Sequence, residues 1–165
     1  MHVERKEFRD AMARLCAAVN IITTDGPAGR AGFTASAMCS VTDSPPTLLV
    51  CMNRGVSSCE AFRTNGVLCV NTLSADQQDL SGIFAGFTGI EGPARFESGE
   101  WSTLATGAPA LKGAMVTFDG RITDMVEKGT HLVVFAEIEA IRLGEGVDTA
   151  LLYFARDYRK VGIAA

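Results

Sequence analysis

About seven short runs of this chain read as β-strands, and helical runs do not alternate with them in any regular way. The runs are 20–24, 33–42, 47–53, 67–73, 114–123, 132–143 and 150–154. Without a strand–helix–strand rhythm, a doubly wound parallel sheet is disfavoured. The pattern predicts a mainly β fold, an antiparallel barrel with short helices at its ends. The 165 residues are 47% hydrophobic, enough for one domain spanning 1–165 with a sizeable core. No repeat and no linker composition interrupts them.

Between the strands, residues 4–18 read as an amphipathic helix, with Phe8, Met12, Leu15, Cys16 and Val19 at near-helical spacing. Residues 56–65 read as a short helix stopped by Gly66, and Ser74 caps a helix over roughly 76–85. Residues 86–113 form a long excursion rich in glycine, and loops of that length usually serve a function. In 132–143 the apolar face changes side near Ala140, which predicts a bulge there.

Charge and composition remove several classes of function. A net charge of -4, without long runs of either sign, predicts no nucleic-acid partner. The N-terminal "MHVERKEFRD" lacks an apolar core, and no run of about 18 apolar residues occurs, so neither a secretory signal nor a membrane span is expected. Cys16, Cys39, Cys51, Cys59 and Cys69 form no CxxC pair and sit mostly among apolar neighbours. They read as reduced, buried thiols of a cytoplasmic protein. With only His2 and His131 as histidines, no metal site is expected.

No GxSxG elbow marks a catalytic serine, and no GxGxxG or P-loop marks a nucleotide fold. Glu137 and Glu139 share a strand face and read as surface. Two other segments do suggest a ligand. "FTAS", Phe33-Thr34-Ala35-Ser36, is a strand of small and hydroxyl side chains that lets a planar ring approach the backbone. "NRGVSS" (53–58) joins a strand to a helix, and there Arg54, Ser57, Ser58 and free N–H groups would cradle an anion. A ligand with a flat polar ring and a phosphate satisfies both. Taken singly, the first also reads as close packing and the second as a helix cap.

The run "GFTASAMCSVTDSPPTLLVCMN", followed by "LCVNTLSADQ", resembles the short-chain flavin reductases that supply reduced flavin to two-component monooxygenases. The likeness extends from about Phe8 to Arg159. It implies an FMN-binding split β-barrel, FMN (with FAD possible) and NADH as cofactors, a homodimer, and no catalytic side chain. Thr34, Ala35 and Ser36 match the segment holding the flavin ring. Asn53, Ser57 and Ser58 match the segment near the ribityl chain and phosphate. Asn71 and Gln77 belong to a signature read mainly as structural. Gly129-Thr130-His131 aligns with a Gly-Asp-His turn whose histidine lies near the nicotinamide nucleotide, with Thr130 in place of the acid. Arg156 and Tyr158 fall in the segment that closes over the flavin, and Met38 replaces a common aromatic. Arg121, Arg142 and Arg159 are the candidates for a 2′-phosphate contact if NADPH is used. Trp101 reads as a packing anchor. The competing reading is a flavin-binding module, a redox sensor or carrier, without reductase turnover.

Overall fold

A computed structural model describes residues 2–162. In chain order the elements are α1 (Arg5–Met12), β1 (Ala17–Ala18), β2 (Asn20–Thr24), β3 (Ala31–Ala35), β4 (Met38–Asp43) and β5 (Pro46–Asn53). Next come α2 (Cys59–Asn65), β6 (Val67–Thr72) and α3 (Gln78–Phe84). The chain finishes with β7 (Trp101–Thr103), β8 (Pro109–Leu111), β9 (Val116–Lys128), β10 (His131–Leu143), β11 (Thr149–Phe154) and β12 (Asp157–Gly162).

Seven of these strands make one sheet in the order β3-β2-β6-β9-β10-β5-β4, and every neighbouring pair is antiparallel. The order sets β3 and β4 at opposite edges, yet only Ser36 and Ala37 separate them along the chain. Such a link reaches at most about 11 Å, whereas the edges of a flat seven-strand sheet lie about 28 Å apart. The sheet must therefore roll until its edges meet at Ser36–Ala37. There the Cys51 N–H donates to the Ala37 carbonyl at 2.9 Å. This rolled antiparallel sheet agrees with the mainly β barrel expected from the sequence.

Alternation fills the roll. Leu48, Val50 and Met52 of β5, and Leu132, Val134 and Ala136 of β10, point inward, joined by Ile22, Phe33, Leu68 and Val70. Phe62 of α2 closes one end, with its ring 5.4 Å from that of Phe33 and edge-on to it. Gly66 stops α2 in the left-handed region at φ 67, and its N–H donates to the Phe62 carbonyl. Ser74 and Gln77 form a capping box ahead of α3.

Strands β2 and β6 are buried on both faces. Their outer faces lie under the excursion 86–113, which therefore serves mainly as a cover. Ala108 and Ala110 pack onto Val67 and Cys69 of β6, and Leu111 packs with Phe84, Phe96 and Trp101. Asp119, fully buried, holds this cover by accepting from the Thr106 N–H at 2.7 Å. Asn71 does the same by accepting from the Leu111 N–H at 2.7 Å and donating to the Ile21 carbonyl. A bulge sits where β10 passes from Ile138 to Ala140 opposite Gly120 and Asp119, as the change of apolar face predicts.

Several elements differ from the sequence reading: the excursion contains the hairpin of β7 and β8, and β9 runs on to Lys128. The run 33–42 is two strands, because the roll turns the chain at Ser36–Ala37. Helix α1 ends at Met12, where the chain turns to enter β1. A further strand, β12, pairs with β11 through a two-residue turn at Ala155 and Arg156, both at positive φ (52 and 62). The cysteines also differ: only Cys69 is buried, while Cys16 and Cys39 are exposed. No helix among the described residues is long and apolar enough to cross a membrane.

Candidate functional site

The outward face of β5 carries Leu49, Cys51 and Asn53, because its inward positions are spent on the core. Register places His131 directly opposite Asn53, Val133 opposite Cys51 and Phe135 opposite Leu49. Ser36 and Ala37 enter beside this face at the closure of the roll. Together with α1 they enclose a groove of about 1340 Å³. Ala37, Met38, Leu49 and Cys51 make its floor, and Ser36 adds a hydroxyl. Burial pushes the Cys51 thiol up, with nearby Cys39 adding to the shift, so the floor carries no thiolate at neutral pH. Arg5, Lys6, Arg9 and Arg156, with Glu4 and Asp10 among them, give the rim a net positive charge.

Helix α1, the far wall, buries none of its residues. It is held by the β11–β12 turn: the Ala155 N–H donates to the Ala13 carbonyl, and Arg156 pairs with Asp10. Lys6 and Arg156 hold the Asp10 carboxyl below its usual range. That carboxylate is thus engaged and is a poor proton relay.

Beyond Cys51, the segment 53–58 and the β9–β10 turn form one hydrogen-bonded unit. Asn53 accepts from the Gly55 N–H at 2.8 Å, which bends the chain into the loop. The Arg54 N–H donates to the Thr130 carbonyl at 2.9 Å. The Arg54 guanidinium reaches the Gly129 carbonyl and the Glu127 carboxylate. Thr130 Oγ1 lies 2.9 Å from His131 Nδ1, so this bond engages one ring nitrogen of an exposed imidazole and not Nε2. Helix α2 is only two turns long, and Ser58 forms no side-chain cap bond. The groups this loop offers to an anion are therefore Arg54 and the serine hydroxyls. An uncharged flat floor, a cationic rim and a loop with an arginine and two serines fit a planar ring bearing a phosphate.

A family model described as "Flavin reductase like domain" matches residues 12–162. This chain belongs to that family. Among curated relatives, the FMN reductase (NADH) RutF of Ancylobacter novellus is 57% identical over 159 residues, covering 96% of this chain and 86% of the relative. The FMN reductase (NADH) RutF of Escherichia coli is 56% identical over 156 residues, covering 94% and 93%. Among solved structures, a candidate flavin reductase from Haemophilus somnus superposes with a TM-score of 0.90 at 48% identity, covering 96% of this chain and 100% of that one. A nitrilotriacetate monooxygenase component B homolog from Mycobacterium thermoresistibile gives a TM-score of 0.86 at 26% identity, covering 95% and 86%.

Within this flavin reductase fold the residues singled out from the sequence fall into distinct places. Ser36 and Arg156 line the groove. Asn53 and His131 lie side by side on the sheet face that continues it, with Arg54, Ser57 and Ser58 in the adjoining loop. Phe33 and Ala35 point into the barrel core, so they can meet a ring only through their backbone. Thr34 donates its hydroxyl to the Ser81 carbonyl at 2.7 Å, which leaves it only acceptor capacity. Tyr158 faces α3, its hydroxyl 2.5 Å from Ser81 Oγ. Asn71 is fully buried under the excursion and Gln77 is a cap, so both are structural. Trp101 packs between Phe84 and Phe96 as an anchor.

The three arginines considered for a 2′-phosphate all have protein partners. Arg121 pairs with Glu139, Arg142 donates to Ser102 and the Leu111 carbonyl, and Arg159 pairs with Asp157. The sequence reading did not include α1 as a groove wall or Glu127 as a partner of Arg54. The apolar stripe of α1 was the signal for the first. Glu127 carries no local signal, since only the strand register brings it to the loop.

Proposed function

We propose that this protein is an NADH-dependent FMN reductase that supplies reduced FMN to a two-component flavin monooxygenase, in pyrimidine (uracil) degradation. The geometric observation behind the reading is the continuous face from Ser36 through Cys51 and Asn53 to His131. It carries a neutral floor for a ring and ends at a loop suited to a phosphate. The RutF relatives, named as FMN reductases using NADH, support the choice of cofactors, and the pathway rests on the name RutF alone. The monooxygenase component B homolog supports the partner.

When bound, FMN supplies the chemistry, accepting a hydride at N5 from the nicotinamide C4. The chain's task is then to position. Ser36 offers a hydroxyl at the ring's edge, and the backbone at Ala35–Ala37 allows close approach. Leu49, Met38 and Cys51 exclude water from the floor. Arg54, Ser57 and Ser58 take the phosphate. Thr130 orients the His131 imidazole at Nδ1 so that Nε2 can meet the nicotinamide nucleotide. Stacking two rings at about 3–3.5 Å is a matter of alignment, and no acid or base is required. The test is absorbance at 340 nm with purified protein, NADH and FMN. Loss of NADH that depends on FMN is expected, and a flavin-bound protein with no turnover would favour the binding-module reading.

We also propose a homodimer in which a second copy covers α1. Phe8, Met12 and Leu15 are 60%, 48% and 59% exposed, and an isolated helix of this length is marginal in water. Light scattering should give twice the chain mass, and Phe8→Glu combined with Met12→Glu should shift the protein toward monomer. A wild-type monomer at micromolar concentration would sink this assembly.

A further inference from the structure

Arg54 is the one guanidinium in the 53–58 loop, and it is already shared. One of its terminal nitrogens lies 3.3 Å from a Glu127 carboxylate oxygen and 3.4 Å from the Gly129 carbonyl oxygen. Both charged side chains remain about half exposed, at 49% and 58%. The main-chain bond from the Arg54 N–H to the Thr130 carbonyl is independent of that ion pair. The guanidinium can therefore turn away from Glu127 while the loop stays joined to the β9–β10 turn.

We infer that Glu127 is an affinity-setting residue: it competes with the phosphate of FMN for Arg54 and keeps flavin binding weak. This rests on the FMN reductase reading above. Two anions brought to one guanidinium repel each other. The phosphate must either displace the carboxylate or bind beside it, and either outcome lowers affinity. A reductase that hands its reduced flavin to another protein needs such a limit. Glu127 supplies it from β9, outside the loop that meets the ligand. Riboflavin shares the ring and ribityl chain but has no phosphate, so its binding is indifferent to Glu127.

The test is a fluorescence titration of FMN and of riboflavin against wild type, Glu127→Gln, Arg54→Gln and the double variant. Glu127→Gln should lower the Kd for FMN about two- to fivefold at low salt and leave riboflavin unchanged, since exposed pairs act weakly and are screened. Arg54→Gln should raise the Kd for FMN, and adding Glu127→Gln to it should then change little. Equal melting temperatures would show that all four proteins are folded. If wild type binds FMN but Glu127→Gln leaves the ratio of FMN to riboflavin affinity unchanged, the competition is overturned and the reductase reading stands. If wild type binds neither flavin, the reductase reading fails first and the competition falls with it.

Discussion

Gly120→Ala is expected to lower the melting temperature of this protein sharply. A Cβ at Gly120 would lie 2.2 Å from the Glu137 carbonyl oxygen and 3.0 Å from Ile138 Cα. Both are backbone atoms of the paired strand, so no side chain can swing away to make room. The contact sits at the bulge of the β9–β10 ladder, where Gly120 faces Ile138 and the next pair skips Glu139. Relief would mean parting two strands at the centre of the rolled sheet. A cost of about 3 kcal/mol or more follows from overpacking of this kind, against a total stability of about 5–15 kcal/mol for an ordinary domain. Gly82→Ala is the matched control. It lies in α3 with nothing within 4 Å of its added Cβ, and should be neutral or slightly stabilising. Thermal melting followed by circular dichroism checks both. A Gly120→Ala melting temperature within about 2 °C of wild type would contradict the close packing described at the bulge.

Ser36→Trp should do the opposite: keep the fold and remove the activity. Ser36 is exposed and lines the groove where the two sheet edges meet, so an indole there projects over the floor made by Met38, Leu49 and Cys51. If the ring of FMN lies on that floor, the indole occupies its place. A loss of about a hundredfold in kcat/KM for FMN is expected, which corresponds to about 2.7 kcal/mol of transition-state stabilisation. The melting temperature should hardly move, because no buried contact is disturbed. Steady-state assays with varied FMN read the first effect, and unchanged kinetics in a folded variant would move the flavin away from this groove.

Much of the architecture was legible because it is written in local patterns. Ile21 and Ile22, Leu48 to Met52, and Leu68 to Val70 are apolar runs that have to be buried, and they became β2, β5 and β6. Gly66 and Ser74 marked helix ends through the geometry of single residues. The change of apolar face near Ala140 marked a bulge. Other features depend on partners distant in sequence. The turn at Ser36–Ala37 contains neither glycine nor proline, so nothing local separates β3 from β4. The turn at Ala155–Arg156 uses residues that seldom adopt positive φ, so β12 had no hairpin signature. Asp119 alternates like a surface residue, yet the excursion covers it. At the candidate site the residue types were readable, but their orientation was not. Phe33 and Ala35 face inward because period-two alternation is anchored by the core, while Thr34 is drawn to α3.

The short link at Ser36–Ala37 also governs the order in which this chain can assemble. Within the seven-stranded sheet three ladders, β2 with β3, β4 with β5 and β9 with β10, join strands adjacent in sequence and can form as independent hairpins. The others, β2 with β6, β6 with β9 and β10 with β5, join segments far apart in the chain. Such non-local pairing is the slow part of β-sheet folding, with times of milliseconds to seconds. Ser36–Ala37 tethers the two edge strands from the start, and the roll closes only when every ladder between them has formed. The groove floor lies on the β4–β5 hairpin, but its opposite wall, α1 with the β11–β12 turn, is brought to it only by the rest of the fold, so a ligand held by both would report on the finished fold alone. Such a ligand would stabilise the native chain by mass action without steering any earlier step.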